Sequence, residues 1–182
     1  MENTPDPAEN EPLPTTQDDL FKILQDLDIP YELYHHQPVF TVAESDKVNA
    51  DIPGTHCRNL FLVDKKKAMY LIVAANATAI DLKKLQNIID SARLSFGSAG
   101  RLWTCLGIKP GSVCPFTVLN DKDQQVSVIL DAHMMEQGMV NYHPLDNAMT
   151  IGISPADLLK FFNHTGHKPH IVDLTPAAPD PT

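Results

Sequence analysis

The sequence lacks any hydrophobic run long enough to cross a membrane. A transmembrane helix needs roughly 20 consecutive apolar residues, whereas the apolar stretches here, such as Met69–Ala75, have the length of a strand. The first residues are acidic and polar, which is the opposite of the basic and then apolar pattern of a secretion signal. We therefore expect a cytoplasmic protein that makes no membrane contact.

Cysteine is scarce and shows no paired spacing. The 182 residues include 3 cysteines, Cys57, Cys105 and Cys114, and no CxxC pair. An odd number of scattered cysteines favours reduced thiols over a disulfide framework. A domain of roughly 150 residues buries about 70% of its unfolded surface, so a disulfide or a structural metal is not needed for stability.

Several common catalytic and cofactor motifs are absent. The sequence has no G-x-G-x-x-G and no Walker lysine for a nucleotide, no G-x-S-x-G and no H-E-x-x-H. His164, His167 and His170 recur every three residues, but Gly166 and Pro169 break any helix there. The three imidazoles therefore need not share a face, and we expect neither a metal nor another cofactor.

Positive charge is not in excess, which at first argues against a nucleic-acid partner. The net charge is -9, but residues 20–172 hold 15 acidic and 14 basic side chains, so the excess lies near the two ends. A local basic face is compatible with this near-neutral body. The candidates are Lys65–Lys67, Lys83 with Lys84, and Arg93 with Arg101. Ordinary solvated surface is the alternative for each cluster.

The two ends differ in composition from the rest of the chain. Residues 1–15 are rich in proline and acidic side chains, and residues 175–182 repeat that character. We predict that both are disordered tails, the first of them acidic. Residues 16–174 contain no internal repeat and no linker, which predicts a single domain.

Hydrophobic periodicity predicts helices and hairpins in this domain. The expected helices begin near Thr16 and cover Thr41–Val48 and Asp81–Ile89. A last helix is expected with Ser154 as its cap, Pro155 as its first residue and Gly166 as its stop. The expected hairpins join 59–63 to 69–75 and 116–119 to 126–130, with further strands at 31–35, 150–153 and 171–172. Since strands and helices do not alternate regularly, we predict the α+β class, with a mixed, mainly antiparallel sheet surrounded by helices.

The segment Pro53–Leu60 is the most informative polar run. A Pro-Gly turn places His56, Arg58 and Asn59 just before an apolar strand. Arginine binds anions through a planar fork of donors, and asparagine supplies both a donor and an acceptor. These groups suit an anion or ester site, although an exposed loop with a surface arginine has the same composition. Because adjacent strand residues diverge, we expect Cys57 to be a small, partly buried residue and not the partner of His56 in a catalytic dyad.

Three other segments carry polar candidates. His143 is followed by proline within Asn141–Asn147, which suits a residue that orients a substrate or, alternatively, a structural histidine in a capped turn. Arg93 follows a helix and precedes a turn of small residues. His35 and His36 are adjacent, so at most one of them faces a pocket.

These segments, taken in order, resemble the YbaK/ProX-type aminoacyl-tRNA deacylases, a family that also occurs as the editing domain inserted in many bacterial prolyl-tRNA synthetases. The resemblance runs from about Leu20 to Leu174 and is nearest to the free-standing branch that clears Ala-tRNA(Pro). Each segment is weak alone, and the six together are specific. The segments are His36–Phe40, Pro53–Leu62, Asp81–Leu85, Arg93–Gly97, Leu106–Val113 and Asn141–Leu145.

The resemblance implies hydrolysis of the ester that joins an amino acid to the terminal ribose of tRNA. Enzymes of this family orient the ester, and water attacks with the help of main-chain groups and a ribose hydroxyl. The implied catalytic residues are Arg58, Asn59 and His143, where Arg58 stands in place of the family's lysine. The implied substrate-binding residues are His56, Gly152 and Ser154. The implied tRNA-binding residues are Arg93, Lys83 and Lys84.

The resemblance leaves three functions open. The first is a trans-editing hydrolase that acts on mischarged tRNA(Pro), most readily Ala-tRNA(Pro), and serves translation fidelity. The second is a non-catalytic module of the same fold that binds tRNA or a synthetase, since Arg58 keeps the charge of a lysine but not its shape. The third is a small-molecule hydrolase. The expected partner is the acceptor end of tRNA(Pro), with prolyl-tRNA synthetase as a transient partner, and the expected state is a monomer.

Overall fold

The computed structural model describes residues 6–7, 11–38 and 42–175 of the chain. Most of the two predicted tails, and Val39 to Thr41, lie outside the described residues. Just before the predicted domain start, Leu13 packs against the main core and the Thr15 hydroxyl donates to Asn120 Oδ1 at 2.7 Å. These residues therefore contact the folded body, and the domain limits of 16 and 174 stay a prediction.

The described residues form helices and short strands in irregular alternation. The α-helices are α1 (Gln17–Asp26), α2 (Val42–Asp51), α3 (Leu82–Ile88), α4 (Ala99–Leu106), α5 (Ala132–Met135) and α6 (Pro155–Thr165), and a 3₁₀ helix covers Pro115–Asn120. The strands are β1 (Glu32–His35), β2 (Thr55–Asp64), β3 (Met69–Ala75), β4 (Leu94–Phe96), β5 (Val126–Asp131), β6 (Val140–Tyr142), β7 (Met149–Ile153) and β8 (His170–Val172). None of these helices is long and apolar enough to span a membrane.

The strands join in one sheet in the order β1-β7-β6-β2-β3-β5-β8, with β4 also paired to β2. The pairs β1–β7, β6–β7, β2–β3 and β2–β4 are antiparallel. The pairs β2–β6, β3–β5 and β5–β8 are parallel. The predicted α+β class, with a mixed and mainly antiparallel sheet, is confirmed.

Local signals fix the ends of the first and last helices as predicted. Thr16 accepts from the amide of Asp19 while the Asp19 carboxylate accepts from the amide of Thr16, which is a complete capping box. Ser154 caps α6, Pro155 occupies its first turn, and Gly166 ends it with a φ of 78°. All of these signals lie within one turn of the helix end that they set.

The second predicted hairpin is wrong. Residues 116–119 are not a strand but part of the 3₁₀ helix, and β5 pairs in parallel with β3 and β8 instead. Pro115 begins the turn, and the Thr117 hydroxyl donates to the carbonyl of Cys114 at 2.7 Å. A short, wholly buried apolar run has no periodicity that separates a strand from a helical turn.

The two faces of the sheet are covered by different side chains. Phe61 and Val63 of β2 belong to the main core, together with most of the buried aromatic residues. Leu62, the residue between them, belongs to a smaller cluster on the opposite face, beneath α3. Because side chains alternate along a strand, His56 and Arg58 lie on the same face as Leu62, and Asn59 lies on the face of the main core.

Strand β2 changes neighbours along one of its edges. On that edge Thr55 and His56 pair with β6, and Leu62 to Asp64 pair with β4. The amide of Thr55 bonds to Met139 and the carbonyl of Phe61 accepts from Gly97, so odd-numbered residues direct their main-chain groups to this edge. Asn59 is an odd-numbered residue between the two pairings, and no described strand pairs with it there. β6 and β4 therefore leave a gap beside Asn59.

Candidate active site

Two polar residues and a glycine lie side by side across β2, β6 and β7, on one face of the sheet. His56 is opposite Asn141 in the register, and Asn141 is opposite Gly152. His56 Nε2 lies 2.9 Å from the carbonyl oxygen of Ile52 and therefore carries a proton, which it donates. Asn141 Nδ2 donates to the carbonyl of Pro53 at 2.9 Å. The turn at Pro53 and Gly54 is thus fastened to both strands.

His143 follows β6 and is held by the next strand. Its Nδ1 lies 2.8 Å from the carbonyl oxygen of Met149, so Nδ1 is the protonated nitrogen of the neutral ring and Nε2 is left as an acceptor. Burial is the main cause that lowers the pKa of His143 below its ordinary value, and the proximity of His36 adds to it. The ring is consequently neutral at physiological pH.

His36, the residue after β1, contacts His143 and is itself bonded to Thr150 of β7. The rings of His36 and His143 meet edge to face with centroids 5.9 Å apart. His36 Nδ1 lies 2.8 Å from the carbonyl oxygen of Gln37, and its Nε2 lies 3.0 Å from the Thr150 hydroxyl. In the neutral ring Nδ1 therefore donates and Nε2 accepts from Thr150. This pair limits the movement of the His143 ring.

Arg58 is anchored by main-chain oxygens and not by a carboxylate. Its Nη2 donates to the carbonyl of Asn76 at 3.1 Å and to the carbonyl of Thr78. Both carbonyls belong to the loop that follows β3. The Nε of Arg58 is buried and has no hydrogen-bond partner in the described part of the chain. One end of the guanidinium is thus fixed while a charged donor on the other side is unused.

Two adjoining cavities meet at Asn59, Cys57 and His143. The smaller has a volume of about 30 Å³, which is room for about one water molecule. The larger has a volume of about 190 Å³, and Arg58, Gly111 and Val113 complete its lining. The Oδ1 of Asn59 is buried, and no described residue hydrogen-bonds to it. The predicted residues Arg58, Asn59 and His143 therefore line one cleft, and His56 lines the small cavity beside it.

Gly152 and Ser154 lie in a different groove from Arg58. They line a cavity of about 240 Å³ with Met139 and Asp157. A Cβ at Gly152 would lie 2.9 Å from Asn141 Oδ1 and 2.6 Å from Met139 Sδ, so glycine permits this close approach. The Ser154 hydroxyl caps α6 and donates to Asp157 at 2.6 Å. The predicted substrate-binding set is thus divided between two sides of Asn141.

Cys57 is not a competent nucleophile. Burial raises the pKa of its thiol to about 12, so the thiolate is not populated at neutral pH. Its Sγ donates to the carbonyl of Thr55 at 3.4 Å. This geometry agrees with the predicted small, partly buried residue.

The residues predicted to bind tRNA are exposed but lie on separate elements. Lys83 and Lys84 are in the first turn of α3, where their main-chain amides are capped by Asp81. Arg93 is exposed just before β4, and its carbonyl accepts from the amide of Lys65. Their side chains are free to meet a phosphate backbone at the surface.

Sequence reasoning missed three contributors to the site. Asn141 was seen only as a neighbour of His143, and neither Thr150 nor the loop carbonyl of Thr78 was considered. Each contributes through strands or loops that are distant in sequence, so local composition carried no signal for it. Of the adjacent pair His35 and His36, it is His36 that contacts cleft residues, through the His143 ring and the Thr150 hydroxyl.

The arrangement suits the binding and polarisation of an ester. Arg58 offers a charged Nε–H, the Asn59 amide faces the gap in the sheet, and the Asn59 side chain and His143 Nε2 offer acceptors for a water molecule. No described group of three or more histidine, cysteine, aspartate or glutamate side chains is placed to hold a metal ion.

Fold and sequence together define the class of this chain. It belongs to the aminoacyl-tRNA editing domain family, whose model matches residues 36–161. It is 39% identical over 152 residues to the prolyl-tRNA editing protein ProX of Acetoanaerobium sticklandii, an alignment that covers 83% of this chain and 93% of that protein. It is 36% identical over 153 residues to prolyl-tRNA synthetase associated domain-containing protein 1 of Bos taurus, covering 81% and 89% respectively.

A solved structure has the same fold. The protein in that solved structure was described as a proposed trans-editing enzyme for prolyl-tRNA synthetase. Its structure superposes on this chain with a TM-score of 0.64 at 16% identity, over 86% of this chain and 96% of that one. At this identity the match supports the fold. The family resemblance that the sequence segments indicated is therefore confirmed.

Proposed function

We propose that this chain is a trans-editing hydrolase that cleaves the aminoacyl ester of mischarged tRNA(Pro), with Ala-tRNA(Pro) as its preferred substrate. Membership of the editing family and the name of the ProX relative support the reaction class and the tRNA. The single observation that carries the proposal is the cleft itself, where a buried Arg58 Nε and a buried Asn59 Oδ1 both lack partners among the residues that the structure describes. Buried polar groups without partners are costly, and a ligand that supplies the partners is the physical reason to keep them.

The proposed roles follow from which groups donate and which accept. In this scheme the larger cavity takes the ester, and the Arg58 Nε and the Asn59 amide donate to its carbonyl oxygen as negative charge develops there. The small cavity holds the attacking water, which donates to Asn59 Oδ1 and His143 Nε2. Water adds to the carbonyl carbon, the bond to the ribose oxygen breaks, and that oxygen takes a proton from the water. The products are a free amino acid and deacylated tRNA.

Selectivity for alanine is proposed to depend on exclusion by size. One methylene group changes attraction in a pocket by only about 1–3 kcal/mol, so steric exclusion must reject a larger side chain. Because the small cavity holds the attacking water in this scheme, the amino-acid side chain shares the larger cavity of about 190 Å³ with the ester. A methyl side chain takes little of this space, and the ring of proline is much larger.

The proposed contact with tRNA involves few phosphates and is transient. Arg93, Lys83 and Lys84 are the proposed phosphate contacts, and few neutralised phosphates mean modest, salt-sensitive affinity. We also propose that the protein acts as a cytoplasmic monomer that meets prolyl-tRNA synthetase transiently. The three free cysteines suit a reducing compartment.

A deacylation panel tests the proposal. The protein is incubated with Ala-tRNA(Pro), Cys-tRNA(Pro) and Pro-tRNA(Pro), and loss of each labelled ester is followed against its rate without protein. We expect rapid loss of Ala-tRNA(Pro) and little loss of Pro-tRNA(Pro). If no ester is lost faster than in buffer at micromolar protein, the catalytic proposal is wrong.

Two further measurements separate the rival functions. Activity that appears only in Arg58→Lys would favour a non-catalytic binding module over a hydrolase. A tRNA-binding titration at two salt concentrations tests the small-molecule alternative, which predicts no binding to tRNA and no effect of salt. Salt-sensitive tRNA binding together with loss of Ala-tRNA(Pro) supports the trans-editing function.

A further inference from the structure

Arg58 faces a buried carboxylate two strands away on the same side of the sheet. Arg58 is opposite Ala74 in the β2–β3 register, and Val73 is opposite Leu130 in the β3–β5 register. Because β3 and β5 are parallel, extending this register by one residue places Ala74 beside Asp131. Arg58, Ala74 and Asp131 therefore form a row across three strands, and the small side chain of Ala74 leaves space above the middle of the row.

The loop after β3 fills that space and connects the two ends of the row. The Thr78 hydroxyl donates to Asp131 Oδ2, while the carbonyl of the same residue accepts from Arg58 Nη2. The carbonyl of Asn76 also accepts from Nη2. One residue, Thr78, thus touches the carboxylate with its side chain and the guanidinium with its main chain.

Asp131 is held by donors that are not charged. It is 0% exposed, and its carboxylate accepts from the amides of Ala75 and His133 and from Thr78. Among the residues that the structure describes, no lysine, arginine or histidine forms an ion pair with it. A buried carboxylate is expensive unless it is bonded and its charge is balanced. Arg58 is the cation that the loop holds on the same side of the sheet as Asp131.

We infer that Thr78 and Asp131 are positioning residues for Arg58. Asp131 fixes the Thr78 hydroxyl, this contact sets where the Thr78 carbonyl lies, and the carbonyl holds the Nη2 end so that the guanidinium stays beside the cleft that Arg58 lines. Neither residue lines the cleft or touches the substrate in this scheme. The inference rests on the proposed function of Arg58 as the substrate anchor.

The test removes one hydroxyl and leaves the shape unchanged. Thr78→Val should lower kcat/KM for Ala-tRNA(Pro) about tenfold, because Arg58 is then less well placed and its charged hydrogen bond to the ester is weakened, while Thr78→Ser should stay close to the wild type. In an Arg58→Gln background, Thr78→Val should have no further effect. An equal loss in both backgrounds, or a Thr78→Ser variant as impaired as Thr78→Val, would overturn the inference.

Thr117→Val is the matched control. Thr117 is also a buried threonine whose hydroxyl bonds within the protein, but it lies in the 3₁₀ helix and not beside the cleft. It should lower the melting temperature without changing kcat/KM at a temperature well below melting. If Thr117→Val lowers kcat/KM as much as Thr78→Val does, the effect is general loss of stability and the inference is wrong.

A second readout does not depend on catalysis. Hydrogen exchange of the Arg58 Nε–H, measured by NMR, should be slow in the wild type and in Thr78→Ser and about tenfold faster in Thr78→Val, since the guanidinium is then less restrained. Unchanged exchange in Thr78→Val refutes the positioning role. If the wild type deacylates nothing while the exchange rates change as expected, the positioning role stands and the proposed function fails.

Discussion

Replacement of Asn59 by leucine should make the protein more stable and less active. Asn59 points toward the main core, and its buried Oδ1 has no hydrogen-bond partner within residues 6–7, 11–38 and 42–175. Leucine has nearly the same shape and no polar atom to bury. The change therefore removes a cost of folding while it also removes an acceptor of the proposed water site and fills the cavity beside it.

The expected size of the effect follows from the unpaired atom. An unsatisfied buried acceptor costs about 1–3 kcal/mol. Allowing for imperfect packing of the new methyl groups, we expect Asn59→Leu to raise the free energy of unfolding by about 1–2 kcal/mol. In a domain of this size 1 kcal/mol shifts the melting temperature by about 2–4 °C, so the expected rise is about 2–8 °C.

Asn120→Leu is the matched control for this prediction. Asn120 is also partly buried, but both ends of its amide are used: Nδ2 donates to the carbonyl of Leu106 at 3.0 Å and Oδ1 accepts from Thr15 at 2.7 Å. The same substitution should there lower the melting temperature. Both variants are compared by thermal and urea unfolding, with deacylation of Ala-tRNA(Pro) measured in parallel. Destabilisation of Asn59→Leu to the same extent as Asn120→Leu would refute the view that Asn59 is kept for a ligand.

Three other predictions concern the groups of the cleft. Arg58→Met should lower kcat/KM for Ala-tRNA(Pro) by about 10- to 150-fold, the range for a lost charged hydrogen bond, and should also lower the melting temperature because two loop carbonyls lose their donor; an unchanged rate would remove Arg58 from the site. Because burial lowers the pKa of His143, the neutral ring should persist at pH 6.5 and activity should fall only at lower pH, and His143→Gln should abolish that fall in the pH–rate profile. The free energy of unfolding should also fall with pH, because the unfolded chain protonates His143 before the folded protein does. Urea midpoints should therefore decrease below about pH 6.5, and they should decrease less in His143→Gln. Cys57, with a pKa of about 12, should resist iodoacetamide at pH 8, and Cys57→Ala should retain deacylation; rapid labelling by mass spectrometry would contradict this.

Features with local signals could be predicted from the sequence. Helix α6 was predicted with its limits because Ser154, Pro155 and Gly166 each act within one turn. The hairpin of β2 and β3 was predicted because a charged turn separates two apolar runs. Strand β2 begins four residues earlier than predicted, at Thr55, because its first residues pair with β6, which is more than 80 residues away in the chain.

The candidate site shows the same division between local and distant signals. His56, Arg58 and Asn59 could be named because polar residues at the start of an apolar strand are unusual. The separation of Gly152 and Ser154 from Arg58 could not be foreseen, because it depends on Asn141 lying between them in the sheet. The connection from Arg58 through Thr78 to Asp131 likewise needs the parallel pairing of β3 with β5.

The gap between β6 and β4 has a consequence for how such a protein can change over evolution. Its amide donor belongs to the backbone of Asn59, so no ordinary side-chain replacement at that position deletes it, and only proline would remove the hydrogen. A reaction that relies on the peptide chain for part of its catalysis is inherited with the fold. The surrounding side chains are then free to diverge and to retune which ester is accepted. An arginine at position 58, where the family resemblance implies a lysine, is the kind of exchange that such a backbone can tolerate.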